Sequence, residues 1–341
     1  MSPTRPAPLR AVADVVVGGL RVRIESAEAR AAARLEPAFP GCLEPPRGQP
    51  DATLRLIVTG DGRERRDPPA LPRSAARALE PALRSPASAG SGRGRRLTLL
   101  LRYALADQRA RACAEPVLAA ARWPLTYPWG DGTFVGDLAR PCGTLLLPEE
   151  RLALPLVDNA LVNAHGLLLG VVAARRGGLL LHGGAAARRG AGYLFLGRSG
   201  AGKSTVCRRA GRGALSDDGA LVLPGARGFG VAATPLRQTA RGRRPGRVAP
   251  GLVPLRLLLV LRQWRRDALV PLGAAAIAAE ILGHHVHYMT LLPPPLARRI
   301  LANTAALVTS VPACRFLFTR EVPVWGVLQP AGAGAPEAPH G

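Results

Sequence analysis

The chain has 341 residues, 48% of them hydrophobic and only 4% aromatic, which excludes a disordered polymer and is long enough for two packed domains. A net charge of +23 suits anionic partners, but the arginines are spread along the whole length with no lysine-rich tail and no aromatic-interleaved stripe. Nucleic acid is therefore not expected as the main partner, whereas nucleotides, acidic peptides or anionic lipid are compatible.

In chain order, residues 1–10 carry Arg5 and Arg10 without a continuous apolar run, so they read as a loose tail and not as a signal peptide. Val15 to Ile24, interrupted by Gly18-Gly19, predicts a β-hairpin. Ser26 to Leu35 predicts a helix, with Ser26 as cap and Glu28 in the first turn. Leu54 to Val58 alternates as a strand. Asp61 to Arg95 is polar and reads as a long flexible connection, Leu97 to Tyr103 as a strand, and Asp107 to Arg122 as a helix. Trp123 to Asp137 places Trp123, Tyr127 and Trp129 among prolines and glycines; a packed inter-domain loop is expected, with a substrate platform as the alternative. Thr144 to Leu147 is a short strand, and Pro148-Glu149-Glu150 opens a long helix ending near Ala174. Leu152 to Ala174 is the most hydrophobic long stretch, yet Asp158, Asn159, Asn163 and His165 argue against a membrane span.

In the second half, Gly178 to Leu181 and Ala185 to Ala187 predict a strand leading to a turn at Gly190, followed by a buried strand at Tyr193 to Leu196. A short helix begins at Val206 to Arg209. Ala214 to Ser216 and Ala220 to Leu223 read as strands, Arg237 to Arg247 as an arginine-rich loop and Pro254 to Leu261 as an apolar strand. Ala274 to Leu282 and Pro295 to Val308 read as helices, Cys314 to Phe318 and Val322 to Leu328 as closing strands, and the chain from Gln329 as a disordered tail. Strands mixed with helices predict an α/β fold, and the hairpin ahead of Tyr193 predicts a mixed sheet. The five cysteines, Cys42, Cys113, Cys142, Cys207 and Cys314, are scattered and never C-x-x-C, which points to reduced thiols and a cytoplasmic protein.

The stretch with the most chemistry is Gly197-Arg198-Ser199-Gly200-Ala201-Gly202-Lys203-Ser204-Thr205. It fits G-x-x-x-x-G-K-[ST] and lies between a predicted strand and a predicted helix, as a phosphate loop requires. Glycines let backbone N–H groups converge on an anion at a helix N-terminus. Lys203 would reach the β- and γ-phosphates of ATP, and the Ser204 hydroxyl would ligate Mg²⁺. Lys203 is also the chain's only lysine; every other of the 46 basic residues is arginine. Asp217 and Asp218 are the only carboxylates between Val206 and Pro250. One can hold Mg²⁺ and the other accept a proton, with a solvated Asp-Asp-Gly turn as the alternative. His182, expected on a strand beside the loop strand, is either structural or a contact to the transferred group. His284-His285-Val286-His287 puts His284 and His287 on one helical face if the helix persists, though a helix end or loop suits it better than a metal site. The arginines from Arg237 to Arg247 either clamp phosphates or reflect the general enrichment.

Leu180-Leu-His182-Gly183, the Gly190 turn, the Gly197–Thr205 loop and Leu215-Ser-Asp217-Asp218 together resemble the core of the HPr kinase/phosphorylase family. The closer likeness is to its shorter HPr-kinase-like members, whose P-loop core is related to phosphoenolpyruvate carboxykinase. The resemblance implies ATP-dependent phosphorylation of a protein serine. Lys203 and Ser204 would bind phosphate and Mg²⁺, His182 would line the site, and Asp218 would be the base with Asp217 beside it. Thr205 stands where the bifunctional members have an acid, which argues against phosphorylase activity. The expected organisation is an α+β substrate or partner domain at 1–149, a P-loop domain at 150–328 and the tail at 329–341. The expected activity is transfer of the ATP γ-phosphoryl group to a hydroxyl of a protein or peptide. A nucleotide-gated scaffold and a small-molecule kinase are the alternatives, and the oligomeric state, homo-oligomer included, is open.

Overall fold

The computed structural model describes residues 9–59, 108–129, 132–154, 156–236, 251–319 and 321–328, with residues 70, 73, 76, 77 and 105 besides. The expectations for Asp61 to Arg95, Leu97 to Tyr103, Arg237 to Arg247 and the tail from Gln329 fall almost wholly outside these residues.

The predicted hairpin is present: β1 (Arg10–Val17) and β2 (Leu20–Ser26) pair antiparallel around Gly18 and Gly19, at φ +57° and +84°. Only glycine takes both values cheaply. The helix expected from Ser26 is broken into two single turns, α1 (Ala29–Ala32) and α2 (Leu35–Ala38). Ser26 belongs to β2 instead, where its hydroxyl donates to the Leu56 carbonyl at 3.2 Å and accepts the Glu28 N–H at 3.0 Å. The N-terminal half continues with β3 (Leu43–Glu44), β4 (Ala52–Thr59), α3 (Gln108–Ala119), β5 (Pro124–Trp129), β6 (Gly132–Asp137) and β7 (Cys142–Pro148). These strands form a mixed sheet in the order β3-β1-β2-β4-β7-β6-β5. Trp123 to Asp137 is thus a hairpin rather than a loop. Its prolines Pro124 and Pro128 are tolerated because β5 is the sheet's edge.

Helix α4 (Leu156–Arg175) follows a separate 3-10 turn at Glu149–Arg151. It touches β2, β4, β5, β6 and β7 on one side and β8 (Leu179–Leu181), β12 (Ala220–Gly225) and α7 (Pro294–Ser310) on the other. Leu161, Leu167, Leu168 and Val171 are all fully buried, as expected of a helix apolar on every face. One hydrophobic cluster therefore joins Val15 and Leu54 to Leu168, Val222 and Leu258. His165 lies inside it, with neither ring nitrogen hydrogen-bonded and its ring 5.0 Å from that of Phe39.

The remaining elements are β9 (Gly184–Arg188), β10 (Ala191–Leu196), α5 (Lys203–Ala210), β11 (Ala214–Ser216), β13 (Gly228–Ala233), β14 (Val253–Gln263), β15 (Ala268–Pro271), α6 (Ala274–Glu280), β16 (Ala313–Phe318) and α8 (Val324–Leu328). The second sheet runs β11-β9-β10-β14-β16-β15, with β14 parallel to both β10 and β16 and the other pairs antiparallel. Strands β8-β12-β13 form an antiparallel extension joined to Val253 and Pro254 at the start of β14. The fold is α/β with mixed sheets, as expected. Two further local readings change. Gly178 to Ala187 is two strands in different parts of the sheet, and Val322 to Leu328 ends in the helix α8 rather than a strand. No helix of the described residues is long and apolar enough to cross a membrane.

Candidate functional site

Strand β10 is buried from Gly192 to Leu196 and delivers the chain to Gly197 between antiparallel β9 and parallel β14. The loop then turns on Gly200 at φ +79° and Gly202 at +105°. Gly202 is the N-cap of α5, and a Cβ there would meet the Phe318 ring at 2.6 Å, so the loop is wedged against β16. At the end of β14, Gln263 Nε2 donates to the Gly200 carbonyl at 3.1 Å. Arg198, Ser199 and Gly200 are exposed at the loop's tip, while Ala201, Gly202, Ser204 and Thr205 are half-buried.

Lys203 is the first residue of α5 and is only 8% exposed. Its Nζ donates to the Gly197 carbonyl at 2.6 Å and the Arg198 carbonyl at 3.3 Å. Burial lowers its pKa, and the charge of Asp218 partly opposes that shift. A desolvated ammonium thus stands in the field of a carboxylate.

Asp217 and Asp218 follow β11, which pairs with β9 at the sheet edge. Asp218 Oδ1 lies 3.2 Å from His182 Nδ1. The Asp218 carbonyl accepts the Gly183 N–H at 3.2 Å and a bond from His287 Nε2 at 3.3 Å. Asp217 is near Cys207, whose thiol is pushed up to about 12, by burial first and then by the Asp217 charge. Cys207 Sγ donates to the Ser216 carbonyl at 3.2 Å and occupies the space above Gly184, where a Cβ would come within 2.5 Å of the sulfur. The seam between α5, β9 and the end of β11 therefore requires glycine at 184.

His182 follows β8, which pairs with β12 and not with the loop strand, so it reaches the site from another part of the sheet than expected. Burial lowers its pKa; Asp218 opposes that and Lys203 reinforces it. The Asp218 charge thus acts on both His182 and Lys203.

Sequence spacing did not reveal the return of His284 to His287. After α6 the chain makes a π-turn at Ile281–His285, and Val286 bridges to Leu181. The His182 N–H donates to the His285 carbonyl at 2.6 Å, and His285 Nδ1 donates to the His182 carbonyl at 2.8 Å. His285 Nε2 faces Glu280 Oε1 at 3.4 Å. The rings of His182 and His285 are nearly parallel at 6.5 Å, and His287 stands edge-on to His182 at 5.3 Å. His284 Nε2 receives the Arg198 guanidinium at 3.0 Å. His287 is held down to about 4, by burial first and by the neighbouring His182. The helix ends between His284 and His287, so the two do not share a helical face. No group of three or more His, Cys, Asp or Glu among the described residues is arranged to hold a metal. The one available signal was compositional: three of the chain's six histidines fall within the four positions 284–287.

Residues 158–326 match the family model described as SynChlorMet cassette protein ScmC. No curated protein matches the chain. The match corrects the resemblance to the HPr kinase/phosphorylase family. Leu180 to Gly183, the glycine loop and Leu215 to Asp218 are short local patterns, whereas the ScmC match runs continuously from Asp158 in α4 to Gly326 in α8.

Proposed function

We propose that the Gly197–Thr205 loop binds the phosphates of ATP, and that the protein transfers the γ-phosphoryl group to a hydroxyl, a serine of a protein or peptide. The observation that carries this reading is the shared environment of Lys203, Asp218 and His182 at the end of β10. The charge of Asp218 acts on both the Lys203 ammonium and the His182 ring, so a cation suited to phosphate and a carboxylate suited to accept a proton would share this site. Lys203 would exchange its two loop carbonyls for the β- and γ-oxygens. The loop amides would take up the remaining negative charge. Asp218 would accept the proton of the attacking hydroxyl, oriented by the 3.2 Å contact to His182 Nδ1.

The donor set also fits Mg²⁺. The Ser204 hydroxyl and the Asp217 carboxylate would offer two oxygen ligands, and water and substrate phosphate would complete the shell. When bound, the ion neutralises charge on the β- and γ-oxygens. The description of the matched family as a cassette protein supports a partner made alongside this one.

A second reading, a nucleotide-gated binding protein with little transfer activity, is favoured by the two bonds that hold Lys203 Nζ on its own loop. Incubation with radiolabelled ATP and lysate separates the readings. Label on a protein or peptide supports transfer, a labelled metabolite indicates a small-molecule kinase, and binding without transfer indicates the scaffold. Lys203→Ala is expected to abolish ATP binding. Asp218→Asn is expected to leave ATP binding within a few-fold and to slow transfer by about 10²–10⁴-fold. Transfer by Asp218→Asn at near the wild-type rate would remove Asp218 from the role of base.

A further inference from the structure

Among the described residues, Trp264 is the only aromatic left exposed, at 49%. A single exposed apolar residue is ordinary on a protein surface. This one is held on a braced turn beside the glycine loop. Gln263 donates to the Gly200 carbonyl, the Trp264 N–H donates to the Phe318 carbonyl at 2.9 Å, and Asp267 Oδ1 accepts the Thr319 N–H at 2.6 Å. The Arg262 guanidinium lies 5.2 Å from the centre of the Trp264 ring, and Arg265 and Arg266 are exposed in the same turn.

The turn's position in the sheet gives it a direction. Asp218 lies on the β9–β11 flank of β10, and β14, which ends in this turn, lies on the opposite flank. A nucleotide whose terminal phosphate faces Asp218 must run its ribose and base away from that flank, toward the ends of β14 and β16. We propose that Trp264 is the platform on which the purine of the bound nucleotide stacks, with the cation of Arg262 polarising the ring. Arg265 and Arg266 add positive charge at the mouth. The proposal rests on the reading of Gly197–Thr205 as a phosphate site. An acidic segment of the acceptor is the other anion that this patch suits; a fixed, preformed turn bonded to the phosphate loop itself favours the base.

The test is titration calorimetry of the full chain with ATP and, separately, with inorganic tripolyphosphate, for the wild type, Trp264→Ala and Trp264→Phe. Trp264→Ala is expected to weaken ATP by roughly ten-fold or more, the effect of losing one base–aromatic stack. Tripolyphosphate binding should be unchanged, and Trp264→Phe should recover most of the ATP affinity. Equal ATP affinity in the wild type and Trp264→Ala overturns the platform while leaving the phosphate site intact. Loss of affinity only for a glutamate-rich peptide, with ATP unaffected, also overturns it and assigns the patch to the acceptor. If the wild type binds neither ATP nor tripolyphosphate, the phosphate reading falls and the platform falls with it.

Discussion

His165 is enclosed in α4 with no hydrogen bond to either nitrogen, and burial holds its pKa at about 3 against an ordinary 6.5. The folded protein therefore refuses a proton that the unfolded chain accepts below pH 6.5. Its contribution to stability is complete above that pH and is lost as the pH falls toward 3. His287 has the same sign, with its loss running down to about pH 4. His165→Leu should be neutral or stabilising near pH 7, because it replaces an unsatisfied polar ring by an apolar chain. Near pH 4.5 it should be more stable than the wild type by on the order of 2 kcal/mol. Chemical denaturation at the two pH values measures this; an equal difference at both would show that protonation of His165 does not govern acid sensitivity. The same burial explains why this residue is no signal of function despite its perturbed pKa: it lies in the core, away from the glycine loop.

At the level of elements, the candidate site depends on seams as much as on side chains. Gly184 in β9 lets α5 approach until Cys207 touches both the strand and the carbonyl of Ser216. Gly184→Ala should push α5 and the end of β11 apart, destabilising the fold by about 1–3 kcal/mol, the usual cost of overpacking. ATP affinity should fall as well, since Lys203 begins α5 and Asp218 follows β11. Thermal melting and ATP titration of the same variant check both parts; unchanged ATP affinity would detach the loop from this seam. Such seams also explain what the sequence could and could not disclose. The β1–β2 hairpin, β10, the loop and α7 were legible because each carries a local signature in glycines or apolar periodicity. The β5–β6 hairpin was hidden by Pro124 and Pro128, which read as loop residues unless the strand is known to be an edge. Val322 to Leu328 is too short an apolar run for its period to separate strand from helix. The histidines at 284, 285 and 287 meet His182 only through the bridge of Val286 to Leu181, a long-range pairing that no local pattern encodes.

Across the whole molecule, α4 is the shared wall between the two sheets, and smaller contacts reinforce it. Tyr288, at φ +59°, donates from its hydroxyl to Asn163 Oδ1 at 3.1 Å and meets the Trp129 ring edge-on at 5.8 Å. The segment that carries His287 is thereby tied to the edge of the first sheet. The family match begins at Asp158, inside α4, so a fragment cut to residues 158–326 would bare the helix face that the first sheet covers. That fragment is expected to aggregate or to bind a hydrophobic dye strongly, whereas the full chain stays monodisperse; size-exclusion chromatography of the two decides it. A well-folded, soluble fragment would mean that the first sheet is dispensable to the core.

With a single lysine in the chain, a reagent that attacks primary amines has one side chain to find, and it is the one at the foot of the loop. The lowered pKa of Lys203 leaves more of it uncharged and nucleophilic at a given pH than an ordinary lysine, and its bonds to Gly197 and Arg198 restrict access to it. Any ligand that seats on the loop changes that access. Acylation of this one side chain, read by peptide mass so that the α-amine is counted apart, is therefore a tag-free gauge of occupancy already written into the natural chain.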